Sequence, residues 1–283
     1  MKGWNIYPYA SVDDVKAAVD TGAKLLRYQT FTEPALNELP LSEWARFLDG
    51  FCQAVERFIP VLGDAKIIYD LHRPPGGTAG KRIKVMSSTE YRGALYWVWQ
   101  TVATRFKDCP QVLGYGILNE PPGTGSDVRK LMQDCINVIR QIDADKIIAV
   151  SCAGGQVDNA EWIGSFGTTR LWYELHMYEP MAFTHQGVGG RKRKVRAPSK
   201  AKIERSLRQA AKVQASGRQV FIGEFSACAF GDEYERLAYI RACVQLFEQY
   251  GFHWCYHIWR ENGSKLWDAE GSVIGEYLRG AME

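Results

Sequence analysis

The stretch Tyr115-Gly116-Ile117-Leu118-Asn119-Glu120-Pro121-Pro122 changes character within a few residues. An apolar run from Gly114 to Leu118 gives way to an amide and a carboxylate, and two prolines then forbid continuation of a strand. A short apolar run that stops on polar residues reads as a buried strand with something to present at its C-terminal end. The same pattern recurs along the chain. Strands are expected at Gly3 to Ile6, Lys24 to Tyr28, Ile67 to Leu71, Gly114 to Leu118, Ile147 to Ser151, Leu171 to Leu175, Val220 to Gly223 and Trp254 to Ile258. Runs such as Lys66-Ile67-Ile68-Tyr69 are continuous rather than alternating in apolar character, as expected of strands covered on both faces.

Longer amphipathic segments separate these runs: Ser42 to Ile59, Thr89 to Phe106, Val128 to Ile142, Ile203 to Gln214 and Glu233 to Tyr250. In the second, Tyr91, Leu95, Val98, Val102 and Phe106 make one stripe at helical spacing. Gly22, Gly217 and Gly251 each stand between a helix and the next strand, where a left-handed cap is expected. Alternating strand and helix predicts a parallel sheet with crossover helices. Eight such units in 283 residues, about 35 residues each, predict a single (β/α)8 barrel over residues 1–283, with a doubly wound sheet as the alternative.

A barrel gathers the C-terminal ends of its strands at one mouth, so the residues at those ends belong together however far apart they lie in sequence. They are Arg27, His72, Asn119 and Glu120, His176 and Tyr178, Glu224 in Phe221-Ile222-Gly223-Glu224-Phe225, and Trp259. Two carboxylates facing each other across a cleft suit glycoside hydrolysis, in which one protonates the leaving oxygen and the other attacks the anomeric carbon. Long loops after the third and sixth strands, Arg73 to Ser88 and Glu179 to Lys200, are expected to border the mouth.

With Leu26-Arg27-Tyr28, Asp70-Leu71-His72, Asn119-Glu120-Pro121, Leu175-His176-Met177-Tyr178, Ile222-Gly223-Glu224-Phe225 and His257-Ile258-Trp259 in this order, the whole chain resembles glycoside hydrolase family 5, which contains many cellulases and mannanases. The resemblance implies a retaining double displacement, with Glu224 as nucleophile and Glu120 as acid/base. It further implies that Arg27 and Tyr178 keep Glu224 ionised, Asn119 meets the sugar 2-hydroxyl, His72 and His176 orient the site, and Trp259 floors the cleaved sugar. The substrate expected is a β-linked oligo- or polysaccharide, first a β-1,4-glucan, with β-mannan and β-1,3-glucan as alternatives.

Other readings are weaker. A barrel kept only for carbohydrate binding has no need of both glutamates. A metal-dependent barrel hydrolase wants an early His pair, and no His precedes His72; a phosphate-binding isomerase wants a glycine-rich loop after the seventh strand. No metal or cofactor is expected. The seven cysteines show no CxxC pair, and Cys135, Cys152 and Cys243 sit in apolar runs as packing residues. His253 and His257 read as packing residues of the last strand, and His185 as a loop residue. Asp70 is expected to brace His72 or a neighbouring strand. Trp4, Tyr7, Phe31 and Trp267 are sugar platforms or barrel closures.

A formal charge of +3 is too small for a nucleic-acid footprint, and no apolar run is long enough to span a membrane. A monomer is expected. The start Met1-Lys2-Gly3-Trp4-Asn5-Ile6 already reads as a strand rather than a secretory signal, and the resemblance favours a secreted protein whose leader has been removed. The run Arg191-Lys192-Arg193-Lys194-Val195-Arg196 reads first as a solvated loop, with binding of an anionic polymer, a localisation signal and, where it overhangs the cleft, a preference for acid-decorated sugars as alternatives.

Overall fold

The computed structural model describes residues 1–32, 39–77, 83–261, 263 and 265–283; residues 78–82 of the long loop after the third strand lie outside them. The strands are β1 (Lys2–Ile6), β2 (Leu25–Thr30), β3 (Lys66–Leu71), β4 (Val112–Gly116), β5 (Ile147–Gln156), β6 (Leu171–Met177), β7 (Gln219–Phe225) and β8 (His253–Tyr256). Every neighbour pair is parallel, and β8 pairs back onto β1, so the sheet closes as a (β/α)8 barrel. Between them run α1 (Val12–Val19), α2 (Leu41–Phe58), α3 (Lys84–Ser87), α4 (Thr89–Phe106), α5 (Gly125–Arg140), α6 (Met181–Thr184), α7 (Lys200–Ser206), α8 (Arg208–Ala215) and α9 (Glu233–Tyr250), with α10 (Val273–Met282) last. None is long and apolar enough to cross a membrane among the described residues.

Local chemistry sets the element ends. Ser11 and Asp14 form a reciprocal capping box at the start of α1, and Asp232 caps α9. Gly251 ends α9 at φ 72°, a left-handed position that a Cβ makes costly. The α4 stripe packs as its spacing predicts: Leu95, Val98, Val102 and Phe106 are buried and Tyr91 is half-buried. Cys135, Cys152 and Cys243 are buried packing residues. The single helix expected over Ile203 to Gln214 divides into α7 and α8. Buried Leu207 makes the corner, its N–H shared between the carbonyls of Ile203 and Glu204.

β2, β5, β6 and β7 run past their expected ends, whereas two strands stop short of theirs, and both of these matter for the mouth. β4 stops at Gly116; Ile117 N then donates to Ala149 O at 3.2 Å and Asn119 N to Leu71 O at 3.1 Å, which carries Glu120 four residues past the strand at φ 38°. β8 stops at Tyr256, because the following amides turn to other partners: His257 N to Phe225 O and Trp259 N to Asn5 O.

The barrel interior is layered. Leu25, Ile68, Ala149, Trp172, Phe221 and Cys255 form an apolar plug. Two residues further on, the strand period of two brings Arg27, Asp70, Ser151 and Glu174 to the same face, and all are buried. On β1, Asn5 stands in register with Arg27 and joins them. The mouth is built on this polar layer.

Candidate active site

Arg27 is the centre of the polar layer. Its Nη1 donates to Asn5 Oδ1 at 3.0 Å and Glu224 Oε1 at 2.8 Å, and its Nη2 to Asp70 Oδ1 at 3.0 Å and Asn119 Oδ1 at 2.8 Å. Its Nε lies 2.7 Å from Glu174 Oε1, a close ion pair without hydrogen-bond alignment. One guanidinium thus touches three buried carboxylates, a planar fork used to full extent. Burial disfavours its charge, but Asp70, Glu174 and Glu224 outweigh burial and hold it more firmly protonated than usual.

Glu224 reaches this layer through an irregularity. The β6–β7 register pairs Leu175 with Ile222 and then His176 with Glu224, so Gly223 is the extra residue. A Cβ on Gly223 would come within 2.3 Å of Glu174 Oε1, which leaves room for glycine alone. Glu224 Oε1 accepts from Arg27 and, at 2.9 Å, from Gln29 Nε2; Oε2 accepts from the Tyr178 hydroxyl at 2.9 Å. Burial works to raise the Glu224 carboxyl, but His176, His257 and Arg27 together hold it well below the usual carboxylate range. Tyr178 stays a phenol: burial and the neighbouring Glu224 push its hydroxyl well above the ordinary value.

Glu120 is treated differently. Its side chain is 45% exposed, and Oε1 is 2.8 Å from His176 Nδ1. Gly155, at φ 68°, lies beneath it; a Cβ there would meet Glu120 Cγ at 3.1 Å. The chain Gly154-Gly155 is tied to the Glu120 loop by Gly154 N donating to Pro121 O at 3.0 Å. His176 is buried, which lowers an imidazole pKa, yet Glu224, Glu120 and Glu174 around it prevail and raise it to about 10. The ring is an imidazolium at neutral pH. Oxygens of Glu120 and Glu224 and a His176 ring nitrogen lie within 4.8 Å of one another. Three donors this close could hold a metal ion, and the same three groups suit proton chemistry.

On the far side of Arg27, His72 Nδ1 is 3.1 Å from Asp70 Oδ2, and Asn119 Nδ2 is 3.3 Å from His72 Nε2. Asp70 braces His72 as its place two residues earlier suggested. Seven of the eight residues expected at the mouth therefore share one network: Arg27, His72, Asn119, Glu120, His176, Tyr178 and Glu224. Trp259 does not join it among the described residues. It is 5% exposed, its ring packs on Trp4 at 5.0 Å, and it borders a neighbouring pocket with Tyr7, Tyr9 and Glu261.

The residue facing Glu224 from the end of β8 is His257, which corrects its reading as a packing residue. Its Nδ1 is 3.9 Å from Glu224 Oε2 and 3.4 Å from Gln29 Nε2. Burial lowers its pKa, and the Glu224 charge works against that shift. Trp267 joins His257 to a ring wall with centroid distances of 6.2 Å to His257, 6.2 Å to Tyr178 and 5.0 Å to His185, so His185 is a site neighbour as well as a loop residue. Asn5, Gln29 and Glu174 are further members that the sequence reading missed. Each signals itself as a polar residue inside an otherwise apolar strand run, two positions from, or in register with, a recognised one.

A family model described as Cellulase (glycosyl hydrolase family 5) matches residues 3–263. Cellodextrinase A of Ruminococcus flavefaciens is 26% identical over 129 residues, 44% of this chain and 38% of that protein, so the match spans well under two thirds of the relative. Among solved structures, Thermotoga maritima Cel5A in complex with cellobiose superposes with a TM-score of 0.82 at 19% identity, covering 100% of this chain and 97% of that one. The same protein in complex with mannotriose gives a TM-score of 0.76 at 18% identity, again over 100% and 97%. The structural likenesses speak for the barrel, and the family model takes in both carboxylates and their supporting residues: the chain belongs to glycosyl hydrolase family 5, the cellulase family, and is a glycoside hydrolase.

Proposed function

We propose that residues 1–283 act as one monomeric catalytic domain that hydrolyses β-1,4-linked glucan with retention, Glu224 serving as nucleophile and Glu120 as acid/base. The observation that carries this is the unequal setting of two carboxylates whose nearest oxygens lie within 4.8 Å. Retaining pairs stand about 5–5.5 Å apart, whereas an inverting pair needs about 6.5–9.5 Å to admit a water. Glu224 is 7% exposed with three donors on it, as an ionised nucleophile requires; Glu120 opens to solvent, as an acid that must later meet water requires.

In the first displacement a Glu224 oxygen attacks the anomeric carbon while the bond to the leaving sugar breaks. The electron pair goes to the leaving oxygen, which takes the proton of Glu120. In the second, water attacks the same carbon and gives its proton to Glu120, and the bonding pair returns to Glu224. One glycosidic bond and one water are consumed.

The remaining residues position. His176 as imidazolium holds Glu120 in place, and Asp70 accepting from His72 Nδ1 leaves Nε2 to receive one Asn119 amide hydrogen. The second Asn119 hydrogen then suits the sugar 2-hydroxyl, a contact that strengthens in the transition state. The wall of Trp267, His257 and Tyr178 is the better stacking surface beside Glu224. Trp259, with Tyr7 and Tyr9, suits a sugar unit further along the cleft.

The names of the relatives, a cellodextrinase and a protein crystallised with cellobiose, favour β-1,4-glucan; the mannotriose complex keeps β-mannan as the second reading. The test is hydrolysis of soluble β-1,4-glucan, β-1,3-glucan, mannan and xylan by the wild type, Glu224→Gln and Glu120→Gln. Cleavage of β-1,4-glucan ahead of the others, reduced at least about 10³-fold in each variant, is expected. Undiminished activity in either variant contradicts the assignment, and wild-type inactivity on every polymer favours a binding barrel.

A further inference from the structure

The loop after β6 carries a charge pattern that the reaction above does not use. From Pro180 to Ile203 there is no Asp or Glu, while Arg191, Lys192, Arg193, Lys194, Arg196, Lys200 and Lys202 all fall in that span, in a chain whose formal charge is only +3. The five cations from Arg191 to Arg196 are exposed, and none makes an ion pair within 4 Å among the described residues. Evenly mixed surfaces pair or disperse such charges, and this one concentrates them.

The loop is held in place rather than loosely solvated. Buried Gln186 grips it from both sides, its Nε2 donating to Val195 O at 3.3 Å and its Oε1 accepting from Val195 N at 3.1 Å. Gly187 N donates to Arg191 O at 3.2 Å. Cys228 N donates to Thr184 O at 2.9 Å, which docks the loop on the segment following the Glu224 strand. The Arg193 guanidinium lies 4.4 Å over the ring of Phe230 in that same segment. Glu235, a carboxylate tied to the loop, accepts from the backbone of Ala197 at 2.8 Å and makes no ion pair with any of the five side chains.

The loop also leads directly to the mouth. Glu224 is bonded by Tyr178, whose ring stands 5.0 Å from that of His185. His185 O accepts from Val188 N, and Val188 O accepts from Arg191 N and Nη1, so the first cation of the run sits two successive tight turns from His185 in the ring wall of the site. Arg191 bears on His185 electrostatically: burial first, and this guanidinium next, hold the imidazole below its ordinary pKa.

We propose that the Arg191–Arg196 loop is an anion-binding rim of the cleft, and that the glycan threading this site carries carboxylates along its length. This rests on the glycosidase reading, since the rim selects which polymer the carboxylate pair receives. A glycan favours the rim over a nucleic acid because the run is tied through Val188 and His185 to the ring wall of the glycosidase site and belongs to a protein with little net charge.

The test uses carboxymethyl cellulose as the anionic probe and hydroxyethyl cellulose as the neutral one, with the full chain and the fourfold variant Arg191→Gln, Lys192→Gln, Lys194→Gln, Arg196→Gln. Arg193 is kept because its stacking on Phe230 supports the loop. Exposed charge pairs each contribute little, so the four together are expected to lower kcat/KM for the anionic polymer by roughly tenfold relative to the neutral one. The preference should fade at high salt, as surface charges are screened. Binding is read separately by affinity electrophoresis of Glu224→Gln, with and without the four substitutions, in gels containing each polymer. Retardation by carboxymethyl cellulose that the substitutions abolish supports the rim even if no polymer is cleaved, in which case only the glucanase reading fails. Equal retardation by both polymers, retardation that survives the substitutions, or displacement of the anionic glycan by single-stranded DNA of equal charge overturns it.

Discussion

The two layers inside the barrel are built on the same strands with opposite chemistry. Leu25 and Arg27 are neighbours on one face of β2, as are Ile68 and Asp70 on β3, and Trp172 and Glu174 on β6. The lower layer is apolar and fills the barrel interior by hydrophobic burial. The upper layer is equally buried but ionic, with one arginine against Asp70, Glu174 and Glu224 and a charged His176 above them. Buried charges are costly unless each is paired, so the upper layer contributes less to holding the fold than its many contacts suggest. In the proposed mechanism, what it supplies is a fixed position and ionisation state for the groups that meet the substrate. The division of labour is testable layer by layer.

The largest effect is expected from Arg27→Met. It strands three carboxylates in the barrel and should cost about 3–5 kcal/mol in urea unfolding, as well as activity; a loss below about 1 kcal/mol would show that the upper layer is not organised around Arg27. Tyr178→Phe should leave stability closer to wild type while removing a hydrogen bond to a charged oxygen, an effect of about 1.5–3 kcal/mol. That corresponds to a fall in kcat/KM of roughly 10- to 150-fold. Because the lost donor favoured the ionised form of Glu224, the acid limb of the pH–rate profile should move up in pH; an unmoved limb would separate Tyr178 from Glu224.

His176 tests the charge in the upper layer by linkage. Its folded pKa of about 10 lies above the unfolded value of about 6.5, so its contribution is complete below the unfolded pKa and is lost as pH rises toward the folded one. Wild-type stability should therefore fall between about pH 6.5 and about pH 10, by at most about 1.4 kcal/mol per pH unit from this group, and His176→Gln should flatten the slope. The smallest effect belongs below: Ile68→Val should cost about 0.5–1.5 kcal/mol and leave kcat within about twofold of wild type. A large loss of activity there would erase the distinction between the layers.

The lower layer and the barrel itself were legible in sequence because apolar strand runs, their spacing and their punctuation are local signals. The mouth was legible where polarity interrupts a run at its end, as at Glu120, His176 and Glu224. Asn5 and Glu174 escaped that criterion because they lie within strands, where a buried polar group is recognised only by asking what it could pair with across the barrel; Gln29, just past the expected strand end at Tyr28, meets the criterion as well as Arg27 does. His257 and Trp259 exchanged places for a different reason. β8 ends at Tyr256, and the next amides bond to β7 and β1 rather than extending the strand, so His257 is turned to Glu224 and Trp259 to Trp4. The split of one expected helix at Leu207 likewise follows from a tertiary corner that periodicity does not encode.

The most direct test of the central claim is the anomeric configuration of the first product released from a soluble β-1,4-glucan, followed by proton NMR before mutarotation. In the proposed mechanism, a buried, ionised Glu224 attacks the sugar beside an open Glu120, so the β anomer should appear first and the α anomer follow only by mutarotation. The α anomer appearing first would mean that water, not Glu224, attacks the anomeric carbon, and would contradict the account.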